Sequence, residues 1–177
     1  MRPITHIVVH TAAAANAQGQ PVYQTAEEVD RYHREHNGWK RIGYHSFIEK
    51  DGRERRDICR PDEEVGAHVQ GKNDTTLGVC VSGHGDFADF LPMQRKTLID
   101  RCVAWCRLYK LGAAAVVGHR ELGADKTCPG LKVNMALLRA DVERELAQGS
   151  KPPTVFIDER LAAIERYLDR AAPNWRI

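Results

Sequence analysis

The chain has 177 residues, enough for one domain with a single core and a short appendage. Hydrophobic residues make up 42% and charged residues 28%, a balance that excludes a disordered chain. Net charge is +2, from 26 basic and 24 acidic side chains, which argues against a nucleic-acid partner; no apolar run approaches the ~20 residues of a membrane span, so stable membrane insertion is not expected.

Residues 4–10 form an apolar run that reads as a first strand, closed by His10. No signal peptide is read before it, so the expectation is cytoplasmic synthesis, with any action outside the cytoplasm, on the cell wall or in the periplasm, requiring release. Residues 11–24 are rich in Ala and Gln and carry Gly19 and Pro21, so they read as a loop. Thr25-Ala26-Glu27-Glu28 is a capping box that predicts a helix running to about Asn37 and stopping at Gly38. Residues 42–49 and 53–59 flank Lys50-Asp51-Gly52, a hairpin signal. A polar loop spans 60–75, a strand 77–82 and a turn 83–86. An amphipathic helix is predicted over 92–111, ended by Gly112, then a strand over 113–117 and, after Pro129-Gly130, a helix over 132–148. The expected fold is α/β, a mixed central sheet with helices on both faces. Domain organisation reads as one domain over 1–148, a linker over 149–154 containing Pro152-Pro153, and a helical appendage over 155–177.

The residues that carry chemistry gather around the strand over 113–117. His119 leaves its end, and Cys128 follows nine residues later in a polar loop with Lys126. Imidazole and thiolate are preferred zinc ligands. Strands of an open α/β sheet collect sites at their C-terminal ends, where both His10 and His119 lie. Three ligands, His10, His119 and Cys128, leave a fourth position open, as in a hydrolytic zinc site. The remaining cysteines read as reduced thiols: Cys102 and Cys106 on one helical stripe, Cys59 and Cys80 buried, and five being odd, no disulfide framework is expected. Of the other histidines, His6 shares a strand face with His10, His33 and His36 read as packing or surface residues, His45 as structural and His84 as a solvated turn residue. His68 reads equally as a groove residue or a loop stabiliser. Trp39 and Arg60 read as substrate contacts or as core and surface residues. The charge run 53–57 reads as a solvated strand edge.

Several segments recur in a recognisable order: Tyr32-His33-Arg34-Glu35 with Gly38-Trp39, Ile42-Gly43-Tyr44-His45, Asp51-Gly52, Arg60-Pro61, Gly66-Ala67-His68 with Gly71 and Asn73, and Leu77 to Gly83. Together with His10 and the His119–Cys128 segment, residues 4–146 resemble the type-2 N-acetylmuramoyl-L-alanine amidases, zinc enzymes related to peptidoglycan recognition proteins, and within them the small phage lysins. The resemblance implies Zn2+ on His10, His119 and Cys128, catalytic roles for Tyr44 and Lys126, and hydrolysis of the amide between N-acetylmuramic acid and L-alanine in cell-wall peptidoglycan. His68, Trp39 and Arg60 are the candidate substrate contacts. Lys126 is expected to favour the Cys128 thiolate. The chain departs from the family pattern at Thr11-Ala12-Ala13 and at His84.

Three functions compete at this stage: a zinc amidase acting as a phage or prophage lysin, a cysteine hydrolase with Cys128 as nucleophile, and a non-enzymatic muropeptide-binding module. The C-terminal segment carries a stripe of Ile157, Leu161, Ile164, Leu168 and Ala171 among charged residues. Such a helix must bury its stripe, by docking back on the domain or by pairing with the same helix of a second chain (self-association) or with a partner protein.

Overall fold

In the computed structural model the described residues are 2–123 and 125–149. Four strands, His6–Thr11 (β1), Ser46–Ile48 (β2), Thr76–Val81 (β3) and Val116–Gly118 (β4), form one sheet in the order β2-β3-β1-β4. Every ladder is parallel. The helices are Ala26–Asn37 (α1), Pro92–Tyr109 (α2) and Met135–Ala147 (α3).

Side-chain alternation along the strands divides the core in two. Ile7 and Val9 of β1, Leu77, Val79 and Val81 of β3, and Val116 of β4 pack with Leu98, Cys102 and Trp105 of α2 and Leu138 and Val142 of α3. The opposite face carries Phe47 and Cys80, which pack with Ala26 and Val29 of α1. Helices thus cover both faces, which is why the strands read as nearly continuous apolar runs. None of the helices among the described residues is long and apolar enough to cross a membrane.

α1 begins where its local chemistry requires. Thr25 Oγ1 accepts the Glu28 N–H at 3.2 Å, Glu28 Oε2 accepts the Thr25 N–H at 2.7 Å, and Gly38 ends the helix in the left-handed region. Four expectations shift. The hairpin contracts to a tight turn and one antiparallel bridge, Ile48–Glu54, so the regular sheet is parallel with an antiparallel touch at its edge. Residues 113–115 form a 3-10 turn and β4 starts only at Val116. α3 starts three residues later than expected, at Met135. The charge run at 53–57 is only in part a solvated edge: Arg53 and Asp57 are exposed, the residues between them are not. Arg55 pairs with Glu27, Glu49 and Asp57 at 2.6, 3.1 and 2.9 Å, and Glu54 with Arg101 of α2 at 2.5 Å, which ties the turn to both helix layers. The linker beyond Gly149 and the helix expected in the appendage lie outside the described residues.

Removing the cap at α1 should weaken the domain without touching the strand ends. Thr25→Ala is expected to cost about 1 kcal/mol, read in a thermal melt as a fall of about 2–4 °C, and Thr25→Ser should restore most of it.

Candidate metal centre

β1 and β4 are neighbours in register, with Val9 opposite Gly118. The next residue of each strand is a histidine, so His10 and His119 emerge side by side at the carboxyl edge, ring centroids 4.7 Å apart. Cys128 completes the group from the following loop. One ligand atom from each of His10, His119 and Cys128 lies within 4.8 Å of the others. His10 is buried, and His119 and Cys128 are partly buried, so one side of the group is open.

The donor set fits zinc. His10 Nδ1 stands 3.6 Å from Cys128 Sγ. A tetrahedral zinc with Zn–S near 2.3 Å and Zn–N near 2.0–2.1 Å separates its sulfur and nitrogen by about 3.6 Å. Burial holds His10 well below the ordinary imidazole range, and His68, His119 and Lys126 add to that effect. His119 is lowered by burial and then by Lys126. Both rings are therefore neutral and free to offer a lone pair. Burial pushes the Cys128 thiol up; a hydrogen bond from the Thr11 backbone and the charges of Lys126 and Arg120 pull the other way but do not prevail. Lys126 thus acts in the expected direction without outweighing burial, and a bound cation would favour the thiolate further.

The loop bearing Cys128 is clasped from three sides. The Arg120 backbone N–H donates to the Cys128 carbonyl at 2.7 Å, and its guanidinium donates to the carbonyls of Thr127 (3.2 Å), Gly130 (2.5 Å) and Val133 (2.9 Å). Asp86, in the turn after β3, accepts from Thr127 Oγ1 and the Leu131 N–H, both at 2.8 Å. Thr11 Oγ1, next to His10, donates to the Pro129 carbonyl at 3.0 Å. Sequence reasoning missed Arg120 and Asp86 as supports, and noted Thr11 only as a departure. Their sole signal is adjacency: Thr11 and Arg120 each follow a ligand histidine.

The other candidates separate into two groups. Tyr44 lies beside the ligands, its ring 5.2 Å from His10, and burial pushes its phenol well above the ordinary range. Lys126 is exposed on the ligand loop, with its charge felt at His10, His119 and Cys128. Trp39 is one step further out, packed on His33 at 4.8 Å, which in turn lies 5.6 Å from Tyr44. Arg60 is turned to the protein instead: its Nε donates to the Ile42 carbonyl at 3.0 Å and its Nη1 to that of Val65 at 3.4 Å. His68 is buried behind His10, 3.1 Å from its Nε2, rather than on an open groove. His45 is fully buried with Nδ1 accepting the Gly78 N–H at 3.0 Å, as its structural reading expects. His6 contacts Thr5 at 2.9 Å, and it is not in the ligand cluster.

Arg120→Ala removes the guanidinium donors of this clasp. It should lower stability by roughly 2 kcal/mol, the scale of charged hydrogen bonds, and speed amide exchange at residues 127–133 while leaving α1 unaffected. Exchange followed by mass spectrometry checks both halves of that expectation.

The family model described as N-acetylmuramoyl-L-alanine amidase matches residues 1–131. The endolysin of Escherichia phage T7 is 34% identical over 128 residues, 70% of this chain and 78% of that one. The solved N-acetylmuramoyl-L-alanine amidase LysC from Clostridium intestinale superposes with a TM-score of 0.69 at 26% identity, covering 80% of this chain and 86% of that chain. The Drosophila peptidoglycan recognition protein SD shares the fold, with a TM-score of 0.65 at 17% identity over 78% of this chain and 81% of that chain. The matched segment holds β1, β4 and the loop through Cys128, and the chain belongs to the N-acetylmuramoyl-L-alanine amidase family.

Proposed function

We propose that this chain is a zinc-dependent N-acetylmuramoyl-L-alanine amidase of the endolysin kind, which cuts the amide between N-acetylmuramic acid and L-alanine in peptidoglycan. The observation that carries the zinc reading is the convergence of His10, His119 and Cys128, open on one side, with Tyr44 beside them. Zinc held by these three residues would polarise the scissile carbonyl and lower the pKa of a water molecule to near 7. The chain supplies the rest. Attack on the amide concentrates negative charge on the carbonyl oxygen, which needs donors already in place. Tyr44 is one such donor: a phenol is protonated at neutral pH, and burial pushes this one further that way. The Lys126 ammonium is the other, at the exposed lip of the site where a large polymer can reach it. Trp39 is assigned to the wall met by the substrate, a reading supported by its packing on His33, which in turn neighbours Tyr44.

The cysteine-hydrolase alternative asks for a thiolate in the metal-free protein. Burial drives Cys128 the opposite way, which counts against a nucleophile in the metal-free protein.

Tyr44→Phe is expected to keep its zinc and lose roughly 10²–10³ in rate, the usual cost of one oxyanion donor, and Lys126→Ala should behave alike. Metal analysis beside a turbidity assay on permeabilised cells separates the two effects. A variant that loses zinc and recovers full rate on adding metal contradicts the catalytic role.

Digested wall should gain L-alanine amino termini without new reducing sugar ends, and a chelator should stop the reaction. Reducing ends without amino termini would mean a glycosidase and would overturn the proposal.

A further inference from the structure

A metal-binding histidine has two ring nitrogens, and only one can face the metal. For neutral His10 one nitrogen carries the proton and the other the lone pair. Its Nδ1 faces Cys128 Sγ at 3.6 Å, and its Nε2 faces His68 Nδ1 at 3.1 Å. We infer that His68 is a positioning residue for the metal centre, accepting the Nε2–H of His10 and so holding the Nδ1 lone pair toward Cys128 and His119. This inference rests on the zinc reading above.

The direction of the hydrogen bonds follows from the far end of a chain of contacts. Thr76 Oγ1 donates to the Lys72 carbonyl at 2.8 Å, and a carbonyl can only accept. The Thr76 hydroxyl proton is therefore committed, and toward His68 Nε2, 3.5 Å away, that oxygen can only accept. His68 is then the Nε2–H tautomer, and its Nδ1 holds a lone pair. A lone pair at His68 Nδ1 calls for a proton on His10 Nε2, which leaves His10 Nδ1 free for metal. A backbone carbonyl at the start of β3 thus sets the tautomer of a ligand on β1.

The ring of His68 cannot easily turn away. A Cβ at Gly66 would stand 2.6 Å from its Cδ2, and one at Gly78 would stand 2.7 Å from its Cγ. Only glycine at these two positions leaves room for the imidazole between a loop and β3. Asn73 Oδ1 accepts the backbone N–H groups of His68 and Val69, both at 2.8 Å, and fixes the loop from which the ring projects. The Gly66-Ala67-His68 and Asn73 segments, in which His68 was read as a substrate contact or a loop stabiliser, acquire a common purpose. A neutral acceptor also has a chemical consequence. With two imidazoles and one thiolate a zinc centre keeps net positive charge, and a carboxylate at position 68 would offset it, whereas an imidazole does not.

The test is zinc affinity, measured by competition with a chromophoric chelator on the full chain, and the absorption spectrum of the Co2+-loaded protein. Wild type, His68→Leu, His68→Asn and Thr76→Val are compared. His68→Leu should bind zinc 10–100-fold more weakly, the usual effect of losing such a partner, with its Co2+ bands shifted. His68→Asn, whose Oδ1 can take the place of Nδ1 as acceptor, should regain most of the affinity. Thr76→Val keeps the side-chain shape and frees the His68 tautomer, so it should fall between them. It also decides the matter if His68→Leu does not fold: wild-type affinity and spectrum in Thr76→Val would then overturn the inference. Zinc binding by wild type with unchanged affinity and spectrum in His68→Leu overturns the positioning role alone. A wild-type chain that takes up no zinc overturns the metal reading itself, and this inference with it.

Discussion

The parallel pairing of β1 with β4 is the contact on which everything else in this molecule depends. Val9 faces Gly118, so two histidines more than a hundred residues apart in the chain leave the sheet as neighbours. A slip of one residue would carry His10 to the face covered by α2 and α3, because side chains alternate along a strand. The register is held by apolar packing: Ile7 and Val9 point to one layer with Val116, and none of the three is accessible to solvent. The candidate ligands are therefore held in place by residues that are not among them.

Around that pairing the protein has assembled a polar interior beside an apolar one. His10, His45 and His68 are buried together with Tyr44 nearby, and burial lowers the three imidazoles, His68 to about 3 and His45 to about 4. Such groups are costly to bury without partners. Here each finds one: His10 in His68, His45 in the Gly78 N–H, His68 in Thr76. On the open side Arg120, Asp86 and Thr11 hold the third ligand's loop. Two strand ends and one clasped loop give a rigid set of donors, as a site that must hold its open position requires.

What could be read from the residues alone depended on how local the signal was. The first helix was legible at both ends, since Thr25, Glu28 and Gly38 act on their own backbone. The clustering of His10, His119 and Cys128 was legible because two histidines stand where apolar runs stop. Residues 113–115 looked like strand because three alanines carry no periodicity, and they wind into a 3-10 turn instead. The second arm of the hairpin is short: its backbone meets the first arm only through the Glu49 N–H to Arg53 carbonyl and Arg55 N–H to Phe47 carbonyl bonds, while the Arg55 and Glu54 side chains reach away to Glu27 and Arg101. His68 and Arg60 show the same limit. Each is one polar residue in a loop, and whether it faces a substrate, a carbonyl or another imidazole is decided by parts of the chain far away in sequence.

The central claim is that His10, His119 and Cys128 hold a single zinc ion through two nitrogens and one sulfur. X-ray absorption at the zinc edge of the metal-loaded protein tests it most directly. The account predicts about one zinc per chain, with two imidazole nitrogens at about 2.0–2.1 Å, one sulfur at about 2.3 Å and a light-atom ligand in the remaining position. In Cys128→Ser the sulfur shell should vanish. A spectrum with no sulfur in the wild-type chain, or one that keeps its sulfur in Cys128→Ser, would contradict the assignment.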